Sequence, residues 1–307
     1  MIVVFGSLNM DLVLRVPALP APGQTVLTPS HTRACGGKGA NQAVAAARAG
    51  ASVRMVGCVG RDESGDILLE ALAADGIDAQ AVRGSTRPTG LAVVVVDAAG
   101  ENQIVVASGA NLEARADQVP DDWLGPATTI VLQHEVPAGE SRALGRRARR
   151  SGARVVLNAA PAGPVDPDTF DILIVNDGEA RAAARAAGIA ARAATSAARA
   201  MAKRWDRIVI VTLGSHGAAA FTPERAFSVA ALAIEPVDTT GAGDAFVGAF
   251  AATLDRGETL EHALGTGAVA GALACLTLGA QPSLPRADAI ADRLGELAPV
   301  RARVLER

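Results

Sequence analysis

The stretch "TIVLQHEVPAGESRALGRRARRSGARVVLN", residues 129–158, decides the fold. Its opening run (129–133) and closing run (154–158) are β-branched, apolar and of strand length, whereas 139–151 between them is rich in Ala, Arg and Glu at helical period. A strand, a helix and a second strand joined by short links read as a βαβ unit, which sets the strands parallel with the helix across one face. The alternation recurs on both sides. Runs at 2–5 ("IVVF"), 53–59 ("VRMVGCV"), 171–175 ("DILIV") and 207–213 ("RIVIVTL") have strand length, and 39–49, 64–75 and 191–204 have helical period. Closing helices are expected over 243–255, 259–277 and 286–296, and Gly188 divides the Ala/Arg-biased tract 180–204 into two surface helices. The expected fold is α/β: one domain over 1–307, with a mostly parallel central sheet flanked by helices on both faces.

Two regions break the alternation. Residues 11–33 include "RVPALPAPGQTV", whose prolines exclude a helix, and 90–107 ("GLAVVVVDAAGENQIVVA") are two β-rich runs around a polar turn. Strands without covering helices predict a small projecting β-sheet, serving as a lid over a site or as a dimer surface.

Composition excludes several classes of function. Half of the chain is hydrophobic, a fifth is charged and the net charge is −3, with no basic stripe interleaved with aromatics to receive nucleic acid. Apolar runs such as "AVAGALACLTLGA" are too short to span a bilayer. Cys35, Cys58 and Cys275 are too few and scattered for a disulfide framework or a zinc ribbon, and read as reduced thiols of a cytoplasmic protein. "MIVVFGSLNMD" lacks a basic segment and soon meets an aspartate, so it reads as a first strand and not as a leader.

Three constellations carry chemistry. In "EPVDTTGAGDAF" (235–246), Gly241 and Gly243 remove side chains where a strand-like run turns into a helix, so amides from Gly241 to Asp244 face outward at the positive end of the helix dipole. Asp244 then stands beside any anion bound there; alternatively, the glycines only make the turn and Asp244 favours the dipole. Neither common phosphate motif fits, because no Lys-Ser/Thr follows the last glycine and no third glycine completes a dinucleotide pattern. "CGGKGANQAVAAARAG" (35–50) opens a helix with Gly36, Gly37 and Gly39 and carries Asn41 in its first turn, a donor and acceptor for a hydroxylated ligand or simply a helix start. "GSLNMD" places Asn9 and Asp11 just after the first strand, where open α/β sheets bind ligands, although both residues also suit a turn.

"GGKGAN" (36–41), "NDGE" (176–179), "TLGSHG" (212–217) and "DTTGAGD" (238–244), in this order, resemble the signatures of the ribokinase-like (PfkB) carbohydrate kinases. "NMD" (9–11), "GRDESG" (60–65) and "GAQPS" (279–283) are similar to the ribose-phosphorylating branch, and the resemblance runs from about residue 2 to 296. It implies an ATP-dependent kinase, a phosphotransferase with an alcohol group as acceptor, in which both glycine motifs converge on one site. Asp244 resembles the general base, and Gly241, Ala242 and Gly243 the anion hole. Asn9, Met10, Asp11, Gly37, Lys38, Gly39, Ala40, Asn41 and Glu135 match the sugar contacts. Asn176 and Glu179 match the pair that organises the ATP phosphates and Mg2+, with Thr212, Leu213, Gly214, Ser215, His216, Gly217, Gly243 and Asp244 completing the nucleotide side. Asp238, Thr240, Gly279, Ser283 and the carbonyls of Ala274 and Thr277 match a K+ site. The family's adenine-side Asn or His aligns with Ala268, and 3% aromatic residues with no tyrosine imply an aliphatic adenine slot. A homodimer through the lid sheet is implied as well. Sister kinases for deoxyribose, another sugar or a nucleoside are the competing reading, followed by a non-catalytic sugar- or nucleotide-binding regulator. Intact Asp244 beside intact glycines opposes the regulator, and a lid without aromatics opposes a nucleoside.

Overall fold

A computed structural model of the chain describes residues 1–305; Glu306 and Arg307, within the expected domain 1–307, lie outside them. The chain runs β1 (Ile2–Phe5), β2 (Asn9–Arg15), β3 (His31–Gly36), α1 (Lys38–Arg48), β4 (Val53–Gly60), α2 (Glu63–Ala74), β5 (Asp78–Ser85), β6 (Gly90–Val96) and β7 (Asn102–Ala107). It continues through β8 (Thr129–Leu132), α3 (Ala138–Arg150), β9 (Arg154–Asn158), β10 (Ile172–Asn176), α4 (Asp177–Ala186), α5 (Ala194–Trp205), β11 (Ile208–Thr212), β12 (Ala218–Phe221) and β13 (Arg225–Val229). It closes with α6 (Ala242–Asp255), α7 (Leu260–Ala274), α8 (Ala287–Leu294) and β14 (Arg301–Val304).

The main sheet has the order β14-β13-β12-β11-β10-β9-β8-β1-β4-β5. From β11 through β5 every neighbouring pair is parallel, and β12, β13 and β14 add an antiparallel edge. β1 lies inside the sheet between β8 and β4 and is wholly buried, so it is apolar at every position. Its side chains alternate between two cores. Ile2 and Val4 join Val44 of α1, Phe250 of α6 and Val269 of α7, whereas Val3 and Phe5 join Leu144 of α3 and Met201 of α5. Phe5 pairs with Leu132, the last residue of β8, so β1 and β8 finish level, and with Val56 of β4, which runs on to Gly60; the residues after β1 and β8 share one edge of the sheet.

The projecting sheet has the order β3-β2-β6-β7, with β2 and β6 parallel and the outer pairs antiparallel. It differs from the expected 11–33 in that its strand begins at Asn9, and the proline-bearing segment between β2 and β3 contains no strand. The expected strand-like run before the helix at 242 is absent too. The amides of Val237 and Asp238 both reach the carbonyl of Cys275, at 2.8 and 3.3 Å, so this backbone pairs with the loop after α7 instead of a strand.

α1 and α6 bring the two glycine motifs together, and Gly248 sets how closely they approach. A Cβ there would lie 2.4 Å from Ala45 Cβ and 2.7 Å from the Ala46 amide nitrogen. Gly248→Val is therefore expected to destabilise the fold by about 1–3 kcal/mol through overpacking. Thermal unfolding measures this, and an unchanged midpoint would contradict the close contact.

Candidate active site

The site lies along the carboxyl edge of the sheet, beneath the projecting strands, where α1 and α6 begin. Asp244, in the first turn of α6, is buried. Its Oδ2 accepts from Asn41 Nδ2 at 3.1 Å and its Oδ1 from Gln42 Nε2 at 2.9 Å, so consecutive residues of α1 hold the two carboxylate oxygens. The motifs at opposite ends of the sequence do converge.

The backbone around Asp244 leaves donors that could receive an anion. Gly241 caps α6 with φ 79°, a left-handed conformation that favours glycine. The Ala242 amide donates to the Thr239 carbonyl at 3.2 Å, whereas among the described residues the amides of Gly241, Gly243 and Asp244 have no acceptor. The amides left without an acceptor thus include that of Asp244 and not that of Ala242, an expected member of the anion hole. A Cβ added at Gly243 would meet nothing within 4 Å, so the fold itself does not require glycine at this exposed position.

A cavity of about 200 Å³ lies between the lid and the sheet, with Asn9, Val106, Ser108, Asn111, His134 and Glu135 in its walls. Asn9 Oδ1 accepts from Asn111 Nδ2 at 2.7 Å, leaving the Asn9 amide group to donate elsewhere. Glu135 Oε2 accepts from Ser7 Oγ at 2.5 Å and from the Lys38 amide at 3.1 Å. Gly37 caps α1, and Lys38, Gly39, Ala40 and Asn41 form its first turn. Met10 and Ala40, expected among the sugar contacts, have their side chains in the apolar core, so only their backbone can contribute to the site. Asp11 Oδ1 and Asn41 Oδ1 are buried acceptors without a partner among the described residues, which suits a ligand rich in hydroxyl donors.

The charges form one field. The half-buried Lys38 ammonium is held above its ordinary range by the Asp244 carboxylate, then by Glu135 and Glu179, with burial opposing them. Burial raises Glu179, and Asp244 adds to this, while the Asn176 amide and Lys38 pull it down. The Asp11 carboxyl is pushed up to about 7, chiefly by burial and then by Glu135 and Asp244. Because its folded value exceeds the ordinary 3.8, the folded chain binds this proton more tightly than the unfolded chain. The resulting stability is complete below 3.8 and is lost as pH rises through about 7. The ligand-free protein should therefore lose thermal stability relative to Asp11→Asn between about pH 4 and about pH 7. A constant difference in unfolding midpoint across that window would refute the raised Asp11.

Of the residues matched to the nucleotide side, Asn176 and Glu179 come together as a reciprocal cap on α4. Asn176 Oδ1 accepts from the Glu179 amide at 2.8 Å, and Glu179 Oε2 from the Asn176 amide at 2.8 Å. Thr212 ends β11, and Gly214, Ser215 and His216 form an exposed single turn closed by the Leu213 amide on the Gly217 carbonyl at 2.8 Å. Leu213 packs its side chain against the core. Ala268 is buried within α7 and offers no polar side chain. Of the residues matched to a cation, Asp238, Thr240 and Gly279 come together. Asp238 accepts from the Thr240 amide (2.9 Å), Thr240 Oγ1 (2.7 Å) and the Gly279 amide (2.9 Å), which hold its carboxyl below the usual range against the effect of burial. Ser283 Oγ donates to the Ala280 carbonyl at 2.7 Å, leaving its lone pairs available, and the remaining candidates are the carbonyls of Ala274 and Thr277. This all-oxygen set fits a hard cation. No group of three or more His, Cys, Asp or Glu side chains suited to a metal occurs among the described residues.

Sequence reasoning missed Ser7, Gln42, Asn111, Gln133 and Asn158, all buried polar residues bonded to the site. For Gln133 and Asn158 a signal existed: each is the polar residue ending an apolar run at the carboxyl edge of a parallel sheet. Asn111 lies in a short 3-10 helix, Gly109–Glu113, and carries no such mark.

A parallel sheet with a lid, a buried carboxylate beside unpaired amides and a wall of hydroxyl-matching groups defines a small-molecule kinase architecture. The chain belongs to the pfkB family of carbohydrate kinases, whose model matches residues 1–287. It is 33% identical over 291 residues to the ribokinase of Haemophilus influenzae, covering 92% of this chain and 94% of that one. To the ribokinase of Bacillus subtilis it is 33% identical over 298 residues, covering 95% and 99%. The structure of ribokinase from Thermotoga maritima superposes with a TM-score of 0.89 at 32% identity, covering 96% of this chain and 99% of that one. That of Arabidopsis thaliana ribokinase complexed with ribose and ATP gives 0.85 at 31% identity, covering 95% and 98%.

Proposed function

We propose that the chain transfers the γ-phosphoryl group of ATP to the 5-hydroxyl of D-ribose, yielding D-ribose 5-phosphate and ADP. The observation that carries this reading is the buried Asp244 carboxylate, held by Asn41 and Gln42, beside amides with no partner among the described residues. Asp244 takes the proton of the primary hydroxyl as the new P–O bond forms, and the amides of Gly241, Gly243 and Asp244 stabilise charge on the transferring group as fixed dipoles. Asn9, Asp11, Asn41 and Glu135 orient the sugar, and the Lys38 ammonium balances the carboxylates that would otherwise repel the phosphates.

Mg2+ would be held through water by Glu179, beside Asn176, and supplies charge neutralisation on the phosphates. K+ would be held by Asp238, Ser283 and the carbonyls of Ala274 and Thr277, with Thr240 and Gly279 bracing Asp238. The exposed Ile104, Val105 and Val106 of β7 support a homodimer through the lid sheet. The three cysteines are free, which suits a cytoplasmic setting, and no described helix is long and apolar enough to cross a membrane.

A coupled ADP-release assay across pentoses, hexoses and nucleosides checks the substrate. Ribose should give the highest kcat/KM; rapid turnover of another substrate while ribose failed would overturn the assignment.

A further inference from the structure

Behind Asp244 lies a chain of buried amides to which the reaction scheme above gives no role. Gln42 and Gln133 are fully buried and Asn158 is 8% exposed. Gln42 Nε2 donates to Asp244 Oδ1 at 2.9 Å and to Asn158 Oδ1 at 3.0 Å, and Gln42 Oε1 accepts from Gln133 Nε2 at 2.8 Å. We infer that Gln42, locked by Gln133 and Asn158, is a positioning residue that fixes the Asp244 carboxylate in the orientation needed for proton removal. The inference rests on the proposed role of Asp244 as base.

The chain has one direction. A carboxylate only accepts, so Gln42 has to present its amide group to Asp244 and its carbonyl to Gln133, which answers with its own amide group. Asn158 cannot reverse this. Its Nδ2 donates to the Ile174 carbonyl at 3.1 Å, so its oxygen stays turned toward Gln42. With Gln42 turned over, its carbonyl oxygen would face two acceptors, Asp244 Oδ1 and Asn158 Oδ1. The arrangement leaves Gln133 Oε1 buried without a partner among the described residues, against Gly6, where a Cβ would lie 1.9 Å from it. An unpaired buried carbonyl destabilises a fold, and such exceptions in native proteins call for a functional reason. Here the reason is orientation: Gln42 and Asn41 give each carboxylate oxygen one amide donor, leaving each a lone pair for the incoming hydroxyl proton.

The test compares Gln42→Leu, Gln133→Leu, their combination, and Gln42→Leu within Asp244→Asn, with ribose and ATP as substrates and thermal unfolding as the check on folding. Gln42→Leu should lower kcat by about 10²-fold, as for a misplaced reacting group, with KM for ribose within about threefold of wild type. Gln133→Leu, which touches neither Asp244 nor the cavity, should lower kcat by about tenfold by freeing the Gln42 amide to turn over. Because the two act in series, the double variant should be no slower than Gln42→Leu alone. Within Asp244→Asn, Gln42→Leu should add no further loss. Wild-type kcat in folded Gln42→Leu, a loss confined to KM, or effects that multiply across the two glutamines would overturn the inference. Should Gln42→Leu fail to fold, Gln133→Leu decides by the same kcat and KM criteria. Near-normal turnover of Asp244→Asn alone would instead remove the base reading on which the inference stands.

Discussion

Asp244→Asn is expected to lower kcat by at least about 10²-fold while ribose binding is largely kept, the size of loss typical when a general base is removed. The substitution preserves volume, so the packing of α6 against α1 should persist. What changes is chemistry: an amide oxygen cannot take up the proton of the attacking hydroxyl. One adjustment is forced locally, because the new amide group faces a donor from either Asn41 or Gln42, which now hold both oxygens. That mismatch is small beside the loss of the base, and it sets the expected change in ribose Kd at a few-fold. Steady-state kinetics and titration calorimetry separate the two effects. Near-normal kcat would rule Asp244 out as base, and lost binding would show that its main role is to hold the sugar.

The second large effect is expected at Gly243. A Cβ at Gly243 enters open space, so Gly243→Val should fold with an unfolding midpoint close to wild type. The branched side chain would nevertheless occupy the room beside the unpaired amides of Gly243 and Asp244. Losing one preorganised donor of this kind typically lowers kcat by about 10²–10³-fold, and a blocked cradle should fall in that range. Gly241 offers no such clean separation, because its φ of 79° strains any other residue there. A fully active Gly243→Val would place the phosphoryl group elsewhere.

The alternation at 129–158 was legible because strands buried on both faces are apolar throughout, and the parallel sheet and both helical layers follow from it. β12 ("AAAF") was not, since it lacks β-branched residues and is held by pairing with β11 and β13. "EPVDTT" misled in the other direction: it has a strand's extended character, but its amides bond to the loop after α7. In the candidate site, glycines and a carboxylate at turns marked residues that the fold brings together. Gln42 gave no such mark, because its partner in α6 is 202 residues away and nothing within α1 reveals it. Met10 and Ala40 show the opposite limit, as their motifs did not reveal that their side chains lie in the apolar core.

The central claim is that Asp244 and the turn 241–244 pass a phosphoryl group from ATP to the primary hydroxyl of ribose. Phosphorus NMR of a reaction containing the protein, ribose, ATP and Mg2+ tests it most directly. The claim predicts ADP together with a new monoester phosphorus coupled to the two C5 methylene protons. No new ester, or one coupled to the anomeric or a ring proton, would contradict it.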